Sequence, residues 1–175
     1  MTRAPDFEGL VECHYAALYR FAFSLARDEA EACDLTQETF YIWATKGHQL
    51  RDFSKAKTWL FTTLHRRFLE KRRKTMRFEH VELGAAANEL PRTSTDAGRS
   101  IDTATVLAAL DRIDEPFRAA IALCYLEDFS YQQIADVLEI PLGTVKSRIS
   151  RGIGQLQAML LSEPESPAPR ARSGK

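Results

Sequence analysis

Apolar residues recur at helical spacing along three stretches in the first half of the chain. The spacing predicts one helix over residues 7–26 and a second over about Glu29 to Lys46, with Gly47 as its natural stop. Ser54 is positioned to cap a third helix, which carries both aromatic and basic residues. No segment alternates in the manner of a strand, so the predicted fold class is all-α.

The periodic pattern breaks down between about Glu79 and Ser100, where Gly, Pro, Asn, Ser, Thr and Asp accumulate. It returns at Asp102, which is positioned to cap a further helix, and Asp114 is positioned to cap the next one. We therefore predict two small helical domains joined by a flexible linker, followed by a disordered tail. The predicted bounds are 1–78 for the N-terminal domain, 79–101 for the linker, 102–161 for the C-terminal domain and 162–175 for the tail.

Residues 130–161 carry the pattern of a helix-turn-helix. Ser130 and Gln133 form a capping box, and Glu139 to Gly143 are predicted to form the turn, with Pro141 stopping the first helix. The second helix has a polar outer face whose hydroxyls and guanidinium groups suit base edges, while its cations suit phosphates. An ordinary helical hairpin with a solvated basic face is the simpler alternative. The DNA-binding candidates are Thr144, Lys146, Ser147, Arg148, Ser150 and Arg151.

The net charge of the chain is zero, but the charge is unevenly distributed. Residues 51–80 carry a net charge of +7, whereas residues 1–50 carry −4 and residues 81–175 carry −3. Aromatic residues interleave with the cations, a combination that suits melted DNA because bases stack on rings and phosphates pair with cations. The alternative is a core-facing apolar stripe with a solvated helix end, and we favour it for Phe61, Leu64 and Phe68. The candidates are Phe53, Lys55, Lys57, Trp59, Arg66, Arg67 and Arg73.

The sequence offers little for catalysis, metal binding or membrane insertion. Cys13, Cys33 and Cys124 are odd in number and form no CxxC pair, so reduced, buried thiols are predicted. Cys13 and His14 with Cys33 lack the spacing of a zinc site, and no metal or cofactor is expected. Without a phosphate-binding glycine loop or a catalytic triad, we predict no enzyme and no small-molecule substrate. We see no signal peptide or membrane span and expect a cytoplasmic protein without a membrane partner.

Three blocks of the chain, in order, resemble the extracytoplasmic-function (ECF) group of the sigma-70 family of bacterial RNA polymerase sigma factors. Asp34 to Phe40 resembles the helix that docks on the clamp of the largest polymerase subunit. Trp59-Leu60-Phe61 and the cationic helix after it resemble the element that reads and opens the −10 box. Tyr131 to Ala135, with Gly143 to Arg148, resembles the helix-turn-helix that reads the −35 box.

The resemblance implies binding to core RNA polymerase and to promoter DNA. Lys146, Ser147, Ser150 and Arg151 would read −35 bases, with Arg148 nearer to phosphate. The loop from Leu50 to Lys57 would form a pocket for a flipped −10 base beside Trp59. The residues implied to face the polymerase clamp are Asp34, Gln37, Glu38 and Phe40.

One departure from the family leaves the −10 preference open. Members often carry Asn and Asp where this chain has Arg66 and Glu70. Asn bonds bidentately to a base edge, whereas Arg adds charge and reach. Glu70 could orient Arg66 or Arg67 through a one-turn pair. Two other functions stay open here: a conventional helix-turn-helix repressor or activator, and a sigma-like mimic that titrates an anti-sigma factor. Whether an anti-sigma factor binds this chain is also open.

Overall fold

The computed structural model describes residues 6–81, 108 and 110–162. Within these residues the regular structure is helical and contains no strand, in agreement with the predicted all-α class. The N-terminal module comprises α1 (Phe7–Ala26), α2 (Glu29–Lys46) and α3 (Ala56–Val81), with 3-10 turns at Gly47–Gln49 and Phe53–Lys55. The C-terminal module comprises α4 (Glu115–Tyr125), α5 (Tyr131–Leu138) and α6 (Leu142–Ser162).

The first two helices have the predicted bounds, and Gly47 follows the second. Gly47 does not adopt the left-handed conformation that usually favours glycine after a helix, since its φ is −60°. It is required for space instead, because a Cβ at this position would lie 2.7 Å from the ring of the buried Trp43. The indole therefore packs directly on the backbone at the end of α2.

The start of α3 differs from the prediction that Ser54 caps it. The carboxylate of Asp52 accepts hydrogen bonds from the Ser54 backbone N–H (3.0 Å) and hydroxyl (2.6 Å), which gives a 3-10 turn before α3 begins at Ala56. A short acidic side chain competes well for nearby backbone donors, so the cap moves two residues towards the N-terminus. At its other end α3 continues to Val81, three residues into the predicted linker.

The C-terminal module begins much as predicted. Asp114 occupies the N-cap position of α4 with Pro116 in the first turn, but its side chain makes no capping bond. Its carboxylate accepts a 2.7 Å hydrogen bond from Gln155 Nε2 of α6 instead, which ties the two helices together. The described residues leave out three predicted features. These are the linker from residue 82 onwards, the helix start at Asp102 and the tail after Ser162.

The helix-turn-helix forms with a shorter turn than predicted. The capping box is present, with Ser130 and Gln133 exchanging bonds of 2.8 and 3.3 Å. Helix α5 ends at Leu138, and Glu139 takes the left-handed conformation with φ 55°. The Pro141 carbonyl already accepts the first helical bonds, so α6 begins at Leu142 and the turn spans only three residues. Gly143, predicted as the end of the turn, lies in the first turn of α6 with a negative φ.

The two modules pack against each other. Helix α1 lies on α4, and α3 lies on α5. Phe61 of α3 meets Phe129 of the α4–α5 connection edge to face, with ring centroids 4.9 Å apart. Buried apolar residues of both modules thus form one continuous core.

Candidate nucleic-acid interface

The outer face of α6 projects away from the core. Val145 and Ile149 anchor the helix from beneath, because both are fully buried. Helix α6 comes very close to α4, since a Cβ at Gly152 would lie 2.3 Å from Ile121 Cδ1. The predicted DNA-binding residues form the opposite face, which therefore presents hydroxyls and cations to solvent. Lys146, Ser147, Ser150 and Arg151 are exposed, and Thr144 and Arg148 are half-buried.

The cations at the centre of α3 are engaged by the C-terminal module. The Lys57 ammonium donates a 2.7 Å hydrogen bond to the Glu127 carbonyl and lies 4.5 Å from the centroid of the Phe129 ring. The Arg66 guanidinium donates two hydrogen bonds, of 3.0 and 2.5 Å, to the Glu139 carboxylate. Both cations were predicted to contact DNA, and here both have protein acceptors.

Arg67 forms a network within the N-terminal module. Its guanidinium donates to Glu38 of α2 and, at 2.5 Å, to Glu70 one turn along α3. The bond to Glu38 is the main cause that raises the pKa of Arg67. The prediction that Glu70 orients Arg66 or Arg67 is therefore confirmed for Arg67. The network also ties Glu38, a predicted polymerase contact, to the basic helix.

The aromatic candidates differ in accessibility. Phe61 and Phe68 are fully buried, which confirms the core interpretation for both. Trp59 is half-buried and meets Trp43 edge to face at 5.1 Å between ring centroids, and Phe53 is half-buried against the core. The remaining candidates are exposed at the helix surface; these are Lys55, Glu70 and Arg73.

The predicted polymerase-binding residues divide between the surface and the core. Asp34 and Gln37 are exposed on α2, whereas Glu38 is half-buried. Phe40 is only 6% exposed and its ring stacks on that of Tyr15, 6.3 Å away, so it supports the helix from beneath. Sequence reasoning missed Tyr41, which is 71% exposed. Its spacing from Asp34 and Gln37 places it on their helical face, a signal that was available in the sequence.

Comparisons with known proteins match both modules to one family. Residues 10–78 match the family model "Sigma-70 region 2", and residues 104–156 match "Sigma-70, region 4". The chain is 32% identical over 160 residues to ECF RNA polymerase sigma factor SigL of Mycobacterium tuberculosis, covering 90% of each chain. The chain belongs to the ECF group of the sigma-70 family of RNA polymerase sigma factors. It is thus a factor that directs transcription initiation, and neither matching model describes an enzyme.

Two further relatives show the extent of this similarity. ECF sigma factor SigE of Mycolicibacterium smegmatis is 34% identical over 160 residues, which is 89% of this chain but only 62% of that protein. The solved structure of the sigma factor RpoE from Bartonella quintana, in complex with the anti-sigma factor NepR, superposes with a TM-score of 0.77 at 31% identity. That superposition covers 91% of this chain and 99% of the other.

This sigma factor buries a carboxylate between its modules. The Glu127 side chain is 3% exposed and accepts hydrogen bonds from Nε (3.1 Å) and Nη2 (3.2 Å) of Arg20 in α1. Burial raises the pKa of Glu127 to about 7, although Arg20 and Lys57 act in the opposite direction. Sequence reasoning missed this contact because its partners lie 107 residues apart and belong to no motif.

Two more ionisable residues lie at the contact between the modules. Arg118 is buried, and its guanidinium donates to the carbonyls of Leu110 (3.0 Å), Ile113 (2.7 Å) and, across the contact, Ser24 (3.4 Å). His65 of α3 is also buried, and burial, with a smaller contribution from Arg148, lowers its pKa to about 4. The imidazole is therefore neutral at pH 7.

The thiols and acidic side chains of the sigma factor form no metal site in the part of the chain that is described. Cys13 is exposed, so the prediction that all three thiols are buried is wrong for this residue. It follows Glu12 on the solvent side of α1, where the helical pattern alone does not fix burial. Cys33 and Cys124 are half-buried. None of the helices in the described ranges is both long and apolar enough to cross a membrane.

Proposed function

We propose that this sigma factor binds core RNA polymerase through α2, reads the −35 element with α6, and reads and opens the −10 element with α3. The observation that carries the proposal is the outer face of α6, where Lys146, Ser147, Ser150 and Arg151 are exposed above a buried Val145–Ile149 seam. A helix that is anchored on one side and polar on the other fits the major groove. Guanidinium and hydroxyl groups there can reach both base edges and phosphates.

A second surface, formed by α3 and the loop that precedes it, would bind the −10 element. Phe53 and Trp59 offer half-buried aromatic rings beside the Leu50–Lys57 loop, which is proposed to hold a flipped base. The cations of α3 would follow the phosphate backbone. The proposed −10 contacts are Phe53, Lys55, Lys57, Trp59, Arg66, Arg67 and Arg73, with Glu70 orienting Arg67.

The exposed face of α2 would bind the polymerase. Asp34 and Gln37 are the accessible members of the predicted set, and Tyr41 adds a large exposed ring to the same face. Acidic and amide side chains of this kind suit a partner with basic residues. We propose the clamp of the largest polymerase subunit as that partner, with Glu38 and Phe40 fixing the shape of the surface.

An anti-sigma factor is proposed as a further partner, because the similar sigma factor RpoE of Bartonella quintana was solved in complex with one, NepR. The location that fits this function is the cytoplasm, where polymerase and promoter DNA meet. The factor would act by binding alone, without catalysis, a cofactor or a small-molecule substrate.

Two substitutions test these surfaces against each other. Arg151→Ala should weaken binding to a −35 duplex roughly 5- to 100-fold, as loss of one base-reading arginine does, and leave copurification with core polymerase intact. Gln37→Ala should weaken polymerase binding and leave duplex binding intact. Each variant is the control for the other. Equal loss of both activities in either variant, or absence of core binding by the unaltered chain, would contradict the proposal.

A further inference from the structure

Arg67 differs from the neighbouring cations of α3 in its contacts. Arg66 donates to a carboxylate of the C-terminal module, and Arg73 is exposed on the helix surface. The Arg67 guanidinium instead lies between two carboxylates of the N-terminal module, those of Glu38 on α2 and Glu70 on α3. Its immediate surroundings are therefore set within the module that is proposed to bind the −10 element.

The two carboxylates hold the guanidinium through different nitrogens. Nη2 of Arg67 donates to Glu38, and Nη1 donates to Glu70 at 2.5 Å. Contacts from two helices restrict the orientation of the planar group, whereas an arginine in solvent samples many rotamers. The bond to Glu38 contributes most to raising the pKa of Arg67, which identifies this carboxylate as the stronger partner.

The donors that remain on Arg67 are few and defined. A guanidinium has five N–H groups, one on Nε and two on each terminal nitrogen. Nε is buried without a partner, and each terminal nitrogen gives one N–H to a carboxylate. The side chain is 32% exposed. One N–H on each of Nη1 and Nη2 is thus left for a ligand.

Two donors held in one plane suit a base edge better than a phosphate. A phosphate accepts a cation from many directions, so exposed side chains such as Lys55 and Arg73 need no positioning to follow the backbone. A base edge requires a defined orientation. Guanine presents two adjacent acceptors, N7 and O6, which an arginine contacts bidentately. The fixed guanidinium of Arg67 therefore favours guanine.

We propose that Glu38, together with Glu70, positions Arg67 to read a guanine of the −10 strand, which extends the −10 site from α3 onto α2. Glu38 is a positioning residue that acts through Arg67 and makes no DNA contact of its own. The arrangement reduces the entropy that the arginine loses on binding, because its orientation is set beforehand. The inference rests on the proposed function, since it requires that α3 meets the −10 element.

Selection from a pool of single strands tests the proposal in the complete holoenzyme. Strands with a randomised −10 segment are bound by the sigma factor on saturating core polymerase, and the bound strands are sequenced. The unaltered factor should enrich guanine at one position. Arg67→Gln should reduce that enrichment roughly 5- to 100-fold, the range that one bidentate base contact supplies. Loss of a preference for a different base in Arg67→Gln would overturn the proposal.

A matched pair of variants on α2 tests the role of Glu38. Glu38→Gln should reduce the guanine enrichment roughly two- to tenfold, the range of one hydrogen bond, while total affinity for the pool rises because a negative charge is removed. Glu31→Gln removes the same charge two turns earlier on the same helical face and should leave the enrichment unchanged. Equal enrichment in the two variants would overturn the proposal. So would a joint loss of affinity and enrichment in Glu38→Gln, because that result indicates a packing defect.

Two further variants separate a positioning role from a structural one. Glu70→Gln, at an exposed position, should also reduce the guanine enrichment. In an Arg67→Gln factor, Glu38→Gln should have no further effect, because it acts only through the arginine. Additive losses in that double variant would overturn the proposal. Absence of any enrichment by the unaltered factor would contradict the proposed function and this inference together, whereas guanine enrichment that does not depend on Glu38 would contradict this inference alone.

Discussion

The outer face of α6 and the basic face of α3 have similar chemistry, but the cations of α3 are paired with groups of the C-terminal module. On α6, Lys146 and Arg151 project into solvent from a helix whose apolar side is fully buried. On α3, Lys57 and Arg66 are bonded to acceptors of the C-terminal module. A cationic stretch in a sequence therefore indicates a surface that can bind DNA, but not whether that surface is free in the unbound protein.

The difference assigns separate tasks to the two surfaces. Under the proposed function, the −35 surface would be ready to bind DNA, whereas the −10 surface would first exchange its intramolecular carboxylates for phosphates. Exposed ion pairs such as Arg66 with Glu139 contribute about 0–1 kcal/mol each, so the buried residues supply most of the stability of the contact between the modules. The contact of Phe129 with Phe61 is one of these buried apolar contributions.

The largest expected effect follows from removing that aromatic contact. Phe129→Ala should lower the free energy of unfolding by about 3–5 kcal/mol, because a buried ring is replaced by a cavity. Tyr131→Ala, two residues further on at an exposed position, should cost less than about 1 kcal/mol. Urea unfolding of both variants measures the difference. Similar losses of unfolding free energy in the two variants would show that the buried Phe129 ring does not stabilise the contact between the modules.

A pH effect of intermediate size should come from Glu127, which faces Arg20 of α1, Lys57 of α3 and its neighbour Asp128. Its pKa is raised from 4.5 to about 7, so the folded protein retains a proton that the unfolded chain releases. This stability is fully present below pH 4.5 and is lost as the pH rises through 7. The free energy of unfolding of the unaltered protein, relative to Glu127→Gln, should therefore fall by about 1–2 kcal/mol between pH 5.5 and 8.

The comparison with Glu127→Gln is needed because His65 acts in the opposite direction. Its pKa is lowered to about 4, so the stability linked to the neutral imidazole is present above pH 6.5 and is lost as the pH falls towards 4. Both proteins contain His65, and its contribution cancels in the difference. A difference that stays constant with pH would show that the Glu127 carboxylate is not buried as described.

A smaller effect distinguishes the two cationic surfaces directly. Arg148→Ala should weaken binding to a −35 duplex several-fold and reduce the slope of log affinity against log salt by about 0.9, the value for one lost phosphate contact. Arg66→Ala should leave both quantities unchanged, since its guanidinium is bonded to Glu139. Titrations of fluorescent duplex at several salt concentrations supply both slopes. Equal changes of affinity and of salt dependence in the two variants would show that the two cationic surfaces do not differ in binding to the −35 duplex.

The smallest effect concerns Gly143 at the start of α6. A Cβ there would meet no heavy atom within 4 Å, and the residue has no positive φ. Gly143→Ala should therefore raise the free energy of unfolding by up to about 1 kcal/mol through helix propensity, with −35 binding unchanged. Thermal unfolding and duplex titration measure the two results. A loss of stability would restore the predicted role of Gly143 in the turn.

Local features of this fold were predictable from the sequence, because they depend on neighbouring residues. The bounds of α1 and α2 follow from apolar spacing, and the Ser130–Gln133 box follows from side-chain chemistry. The predictions were wrong where two neighbouring residues can each begin or end a helix. Asp52 rather than Ser54 organises the entry to α3, and a left-handed Glu139 shortens the helix-turn-helix turn.

The contact between the modules was not predictable in the same way. Arg20 and Glu127 lie far apart in the chain, and nothing in either local sequence indicates the other. The −35 candidates followed from residue type and helical spacing, and the polymerase candidates followed from the family resemblance, yet Phe40 is buried and Tyr41 was missed. Tertiary packing decides which residues of a helix are exposed to solvent. Helical spacing in a single sequence does not show which neighbouring helix covers each position.

Run-off transcription with purified core polymerase, this sigma factor and a cognate promoter fragment tests directly whether the three proposed surfaces act together at one promoter. We predict a transcript with one defined start that requires the factor and both promoter elements. The transcript should decrease with Arg151→Ala and with Gln37→Ala, for different reasons. No factor-dependent transcript, from a factor that binds both core polymerase and the −35 duplex, would contradict the account.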